Sequence, residues 1–269
     1  MVLRQLDALT SELVQKATSG DGAALNQIMT SLSRPFYNLA LRMLQNHEDA
    51  EDATQECLIR VATKLSTYHG ASRFSTWAWA VATRCVLDFQ DGRARTAVLS
   101  VEIFSQDLAD GLGLYAPNNP ETEIYTAQVK LGCGRAMLQV LDGEHRLVYI
   151  LCEILELDQA EAAVALGITH DALRKRLSRA RSRIREVLCR NCGFIKETNP
   201  CRCKKRVVRA IALSRLDSRD SIALDIGAVE RQVRALDELS QAACFFRADP
   251  LTNASEKLLP HVRATLHIA

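Results

Sequence analysis

Several things are missing from this chain, and each absence narrows its function. No run of about 18 apolar residues occurs, so no membrane-spanning helix is expected. The opening stretch MVLRQLDALTSELVQ carries no signal-peptide pattern, which makes a soluble, cytoplasmic protein without membrane attachment the expectation. No useful length of strand-like alternation is present, and no internal repeat. A Gly-rich phosphate loop, a thioredoxin-like βαβ context and a paired His/carboxylate site are all missing. These gaps argue against an enzyme, including a thiol oxidoreductase using Cys189 and Cys192. Aromatic residues are scarce, 5% of 269 residues with only 2 Trp, so any clustering of them carries information. Net charge is +2, and a nucleic-acid surface must therefore come from local clustering.

That clustering exists. Residues 170–190 are strongly basic, whereas HEDAEDATQE over 47–56 is strongly acidic. The stretch DQAEAAVALGITHDALRKRLSRARSRIREVL, Asp158–Leu188, reads as two helices joined by a turn at Gly167. Small residues Ala162 and Ala163 precede the turn, with Leu166, on a short apolar face. Ile168 is an apolar plug, and Thr169 is a good N-cap whose hydroxyl can accept from a first-turn amide. Asp171 follows where the helix dipole favours negative charge. Leu173, Leu177, Ile184 and Leu188 recur at steps of four and seven, the period of one buried face. Arg174, Lys175, Arg176, Arg179, Arg181, Arg183 and Arg185 surround that stripe. A solvated basic face is the bland alternative; the helix–Gly turn–helix pattern favours a helix that lies against DNA phosphates and base edges.

The rest of the chain reads as helical throughout. One amphipathic helix covers 3–18. A second starts near Asp21 and runs to Leu44, with Pro35 marking a point where it can bend. A third covers Glu48–Tyr68 and buries Ala50, Ala53, Cys57, Leu58, Val61 and Leu65. A fourth covers Ser75–Asp91. Both tryptophans lie in it, two positions apart, so they face different ways: one is expected in the core and the other at least partly exposed. An exposed aromatic near Arg73, Arg84, Arg93 and Arg95 suits stacking on unpaired bases. Periodicity then lapses across a linker to Pro120, broken by a short helix near Ile103–Leu108. Helices resume over 121–141 and 144–155. Beyond the basic helix, one long helix is expected over 222–246 and a last one over 254–266.

With both halves in view, the sequence resembles the extracytoplasmic-function sigma factors of bacterial RNA polymerase. HEDAEDATQECLIRVATKL followed by FSTWAWAVATRCVLD resembles the family's second domain, and LDGEHRLVYILCEILELDQAEAAVALGITHDALRKRLSRARSRIREVL resembles its fourth. The resemblance implies an all-α fold. Residues 1–92 would form sigma domain 2, 93–119 a linker, 120–188 sigma domain 4, and 189–269 a helical Cys-rich extension that the family usually lacks. It also implies partners: promoter DNA and the polymerase core, bound at the clamp of its largest subunit. Asp49, Asp52, Gln55 and Glu56 would meet the clamp. Phe74, Trp77, Arg84 and Asp88 would hold the −10 strand; His170, Asp171, Arg174, Lys175, Ser178 and Arg179 would read the −35 duplex. Whether a separate anti-sigma protein binds stays open. In the family a longer basic run follows the F-x-T-W helix; here Gln90, Asp91 and Gly92 interrupt it. A DNA-binding regulator that never touches polymerase is the rival, but it leaves the acidic helix and F-x-T-W unexplained.

The chain has 9 cysteines, an odd number that argues against a disulfide framework. Four of them, Cys189, Cys192, Cys201 and Cys203, fall in CRNCGFIKETNPCRC. The C-x2-C-x8-C-x-C spacing suits one tetrahedral thiolate site, with zinc first among the candidate ions. Arg190, Lys196, Arg202, Lys204 and Lys205 would offset its negative charge. Inert thiols and a redox pair are the alternatives.

Overall fold

The computed structural model describes residues 11–92, 98–112, 117, 119–220, 225–236, 238–249 and 251–268. Among them are thirteen α-helices and no strand, only an isolated bridge between Cys192 and Cys201. The expected helix over 3–18 is described from Ser11 to Thr18 (α1); its first half, Arg93 and Arg95 lie outside the described residues. The chain forms two compact units, each discontinuous in sequence.

The first unit contains Met1–Thr96, Leu147–Leu177 and Leu251–Ala269. Its centre is α2, Gly22–Leu44, which Asp21 caps by accepting from Ala23 and Ala24 at 2.9 and 3.1 Å. The helix runs unbroken through Pro35, so the bend that residue could impose does not interrupt it. It ends at Gln45, whose left-handed backbone turns the chain sharply. Asn46 then caps α3, His47–Lys64, accepting from Glu48 and Asp49. All six residues expected on the buried face of α3 are buried, from Ala50 to Leu65. The next helix, α4, Phe74–Gly92, packs on α2 and α3 and seals the core with Trp79, 5.4 Å from Phe36.

The last helix of the chain, α13, Leu258–Leu266, belongs to this unit. It packs on α2 and α3 through buried Leu258 and Val262. The segment leading to it is tied down by hydrogen bonds. Asn38, fully buried on α2, donates to the Thr252 carbonyl at 2.7 Å and accepts from the Thr252 amide at 3.1 Å. Arg34 donates to the Leu251 carbonyl, Arg263 to Asn26, and Ser255 to Glu51 on α3.

The second unit contains Ala97–Arg146 and Ser178–Pro250. The short linker helix is present as α5, Val101–Ala109, capped by Ser100. Asn119 caps α6, Pro120–Leu138, which has Pro at its start, where a missing N–H costs nothing. Buried Arg146 closes the far end of α6 by donating to the Leu138 and Leu141 carbonyls, at 3.0 and 2.8 Å. Burial lowers its guanidinium to about 10, which still leaves it protonated at neutral pH. Arg146 lies in α7, Gly143–Tyr149, which widens into a π-helical turn over Ile150–Ile154, where a single α-helix to 155 was expected.

After the basic helix, α10, Cys203–Ala212, packs along α6. The long helix expected over 222–246 is two helices, α11 (Ile226–Arg234) and α12 (Glu238–Arg247). The first one tightens and stops at Ala235, whose amide is shared between the Arg231 and Val233 carbonyls. The break lets each half bury its own apolar side: Val229 and Val233 in one, Ala242 to Phe246 in the other. Fully buried Lys130 on α6 secures α12, donating to the Phe245 carbonyl at 2.8 Å, lying 4.3 Å from that ring's centroid and pairing with Asp249.

Candidate functional site

The acidic helix α3 owes its exposed face to its buried one. A narrow stripe of Ala, Cys, Leu and Val is committed to the core, so the acidic residues between those positions turn outward. Asp52 is exposed, while Asp49, Gln55 and Glu56 are half-buried. Glu56 is held by Arg60 at 2.7 Å, and Arg60 also takes Asp88 of α4 at 2.7 Å. Asp88 is thus exposed but already engaged by a cation, which holds that carboxylate at the α3–α4 seam.

The two tryptophans divide as expected. Trp79 is core, and Trp77 is half-exposed. Trp77 sits on an aromatic platform: Phe74 at 5.5 Å and Tyr68 at 5.7 Å, with Tyr68 and Phe74 edge-on at 5.3 Å. Phe74 is buried beneath the platform, so it supports Trp77 rather than facing solvent itself. Tyr68 went unrecognised in the sequence because it lies outside the F-x-T-W helix, just before the His69-Gly70 turn. Its hydroxyl donates to the Ser72 carbonyl, tying that turn to α4. Arg84 is exposed.

The helix-turn-helix forms as the sequence implies. Asp158 caps α8, Gln159–Leu166, which ends at Gly167 with φ +63°, a left-handed position where glycine carries no Cβ penalty. The Thr169 hydroxyl accepts from Ala172 at 3.2 Å and starts α9, His170–Asn191. Leu173, Leu177, Ile184 and Leu188 are all buried, joined by Ala180 and Val187. His170, Asp171, Arg174, Lys175, Ser178 and Arg179 are all exposed. Within the first unit α8 packs on α4, and Glu161 meets Arg73 at 3.1 Å.

The cysteine-rich segment has an ordered turn. Cys192 and Cys201 face one another across the isolated bridge, with the Gly193 amide donating to the Cys201 carbonyl at 3.1 Å. Asn199 donates to the Cys189 and Cys192 carbonyls at 3.0 and 3.2 Å. None of the nine cysteines forms a disulfide. Burial, reinforced by the neighbouring sulfurs of Cys133, Cys192 and Cys201, pushes the Cys203 thiol well up. Burial lifts Cys201 to about 11. Cys133, on α6, was not singled out in the sequence, since a lone cysteine in an amphipathic helix carries no spacing signal. Among the described residues no group of three or more His, Cys, Asp or Glu side chains is arranged, as it stands, to hold a metal ion. Nor is any helix among them long and apolar enough to cross a membrane.

Comparison with known proteins gives a consistent picture. The family model "Sigma-70 region 2" matches residues 28–96, and "Sigma-70, region 4" matches residues 133–184. The chain is 32% identical over 189 residues to the ECF RNA polymerase sigma factor SigE of Mycolicibacterium smegmatis, covering 69% of this chain and 70% of that protein. It is 26% identical over 191 residues to the ECF RNA polymerase sigma factor SigW of Bacillus subtilis, covering 68% of this chain and 98% of that one. Among solved structures, CnrH in complex with the cytosolic domain of CnrY matches with a TM-score of 0.50 and 20% identity, over 66% of this chain and 95% of that one. At that identity the structural match concerns the fold alone.

Proposed function

The chain belongs to the extracytoplasmic-function sigma factors of bacterial RNA polymerase, and from that premise we propose how its own surfaces divide the work. A sigma factor performs no chemistry of its own; it directs the polymerase core to promoter DNA and starts transcription there. Such a protein works in the cytoplasm, where polymerase and promoters are.

The −35 element is read by α9. The observation that carries this assignment is the exposure of all six expected residues on a helix whose apolar stripe is buried. Losing a bidentate base contact costs roughly 1–3 kcal/mol and relaxes preference at one position. Losing a phosphate contact weakens all sequences alike and reduces the salt slope by about 1. We expect Arg174→Ala to act in the first way and Arg179→Ala in one of the two. Affinity for a −35 duplex measured across a salt series checks this; both variants binding with wild-type affinity and slope would remove α9 as the reader.

The −10 strand meets α4 through Trp77 and Arg84, with Phe74 and Tyr68 as the rigid support that a stacking aromatic needs. The clamp of the largest polymerase subunit meets Asp49, Asp52, Gln55 and Glu56 of α3. A protein antagonist is the further partner that the likeness to CnrH supports. Recovering this chain from its own cells with polymerase as its sole stoichiometric protein partner would remove that antagonist.

The packing of α8 on α4 bears on the order of events. By their own numbering the two promoter elements lie about 25 base pairs apart, roughly 85 Å of B-DNA, while α4 is about 28 Å long. A −10 helix and a −35 helix-turn-helix in mutual contact cannot both be seated on their elements. Promoter engagement therefore requires α8 to leave α4. A fluorescence distance between α4 and α8 should lengthen when polymerase and promoter are added, and one that stays short in the open complex would refute this step.

A further inference from the structure

We propose that the metal-binding thiols of this chain are Cys133, Cys192, Cys201 and Cys203, forming one four-thiolate site for a zinc-class ion that fastens the cysteine-rich segment to α6. Cys189 is not part of it.

Three segments bring these residues together in the second unit. On α6, Tyr125, Val129 and Cys133 follow one another at steps of four, along a single face. That face meets α10: Val129 packs with Val207 and Ala210, and Tyr125 and Cys203 lie against the same cluster. Cys203 opens α10, so the register that buries Val207 also places Cys203 on the side facing α6. Cys201 is two residues earlier, bridged to Cys192.

The turn after Cys192 has the construction a thiolate ligand needs. The Cys192 carbonyl accepts from the Ile195 and Lys196 amides at 3.3 and 3.0 Å, which closes the turn. Gly193 permits the close approach, since a Cβ there would lie 2.5 Å from the Cys201 carbonyl oxygen. Arg202 pins the intervening loop by donating to the Glu197, Asn199 and Cys201 carbonyls. Its guanidinium also brings positive charge next to a site whose four thiolates would outweigh a divalent ion.

Cys189 is placed differently. It lies inside α9, two residues before the helix ends, and its carbonyl is taken by Asn199. The bridge sets Cys192 opposite Cys201 and leaves Cys189 outside it, three residues back on α9. In its stead α6 supplies Cys133, one turn beyond Val129 on the face that meets α10.

As the side chains stand, the sulfurs are not at ligand spacing. Turning one cysteine between staggered χ1 wells swings its sulfur by about 3 Å, so side-chain rotation can draw them onto a common centre. A tetrahedral set of four soft sulfurs selects zinc over the hard oxygen-seeking cations.

The test uses the full chain, purified under reducing conditions and titrated with zinc against a chromogenic chelator, then with cobalt(II) to read thiolate-to-metal absorption. One equivalent should bind to the wild type. Cys133→Ser and Cys203→Ser should each weaken binding by at least about 100-fold, and Cys189→Ser and the buried-thiol control Cys244→Ser should not. Circular dichroism on each variant separates loss of a ligand from loss of fold. Wild-type affinity in a folded Cys133→Ser protein, loss of binding in Cys189→Ser, or no equivalent bound to the wild type would each overturn the proposal. Because the readout is metal content, its failure would leave the promoter-directing function untouched, and the reverse also holds.

Discussion

Replacing Asp49 and Asp52 together by Arg is expected to abolish association with the polymerase core, lowering affinity at least about 100-fold, while the full chain still binds a −35 duplex. The substitution turns two negative charges on α3 into two positive ones. Placing like charges against a cationic partner surface costs several kcal/mol, and each 1.4 kcal/mol is about tenfold in affinity. Competing structural effects are smaller. Asp49 lies in the first turn of α3, where removing a carboxylate from the helix N-terminus costs about 0.3–1 kcal/mol, and Asn46 continues to cap. Neither position belongs to the buried stripe from Ala50 to Leu65, so the core is unaffected. Asp52→Arg alone, beyond the first turn and exposed, removes the dipole question altogether. Polymerase binding in a pull-down, set beside −35 duplex binding by the same protein, decides the matter. If the double variant keeps wild-type polymerase affinity, this face is solvated and nothing more. The tail does not confuse the test: α13 packs on α3, and its leading segment bonds to Glu51 through Ser255, yet Asp52 stays exposed.

What could be read from the sequence was whatever repeats with a helical period or marks an end. The stripe of α3, the leucines of α9, the Thr169 cap and the Gly167 turn each rest on local rules, and each stands in the structure. The division of Trp77 and Trp79 followed from their spacing of two. Features that depend on distant partners were not legible. The amphipathic run over 222–246 has one continuous period, yet it breaks at Ala235, because each half has its own apolar residues to bury. Cys133 carries no local signal; its place on the face opposite Cys203 follows only from α10 packing along α6. Asn38 is the clearest case. In the apolar run FYNLAL it looks like a polar interruption, whereas it is fully buried and bonded to a segment 214 residues away.

That bond makes a strong prediction about the extension. Asn38→Ala is expected to destabilise the protein by about 2–4 kcal/mol, even though the change deletes only a small polar side chain. The carboxamide donates to the Thr252 carbonyl and accepts from the Thr252 amide, satisfying both backbone groups of one residue at once. Its oxygen also accepts from the buried Arg42 at 2.8 Å. Truncation to Ala leaves these groups facing a methyl, and each buried polar group left unsatisfied costs about 1–3 kcal/mol. Arg34 still holds Leu251, and Leu258 and Val262 remain apolar, so the segment loses its register before it loses its site. Leu258→Ala provides the apolar comparison, expected at about 2–5 kcal/mol from lost transfer energy and the cavity left behind. Ending the chain after Asp249 should cost more than either, since it uncovers the surfaces of α2 and α3 that α13 buries. Urea unfolding of all three variants measures this. Residues 251–268 would then count as part of the polymerase-binding half's own core, rather than as an appendage following the cysteines. Costs below about 0.5 kcal/mol for both Asn38→Ala and the truncation, the range of ordinary surface changes, would show that the tail merely rests there.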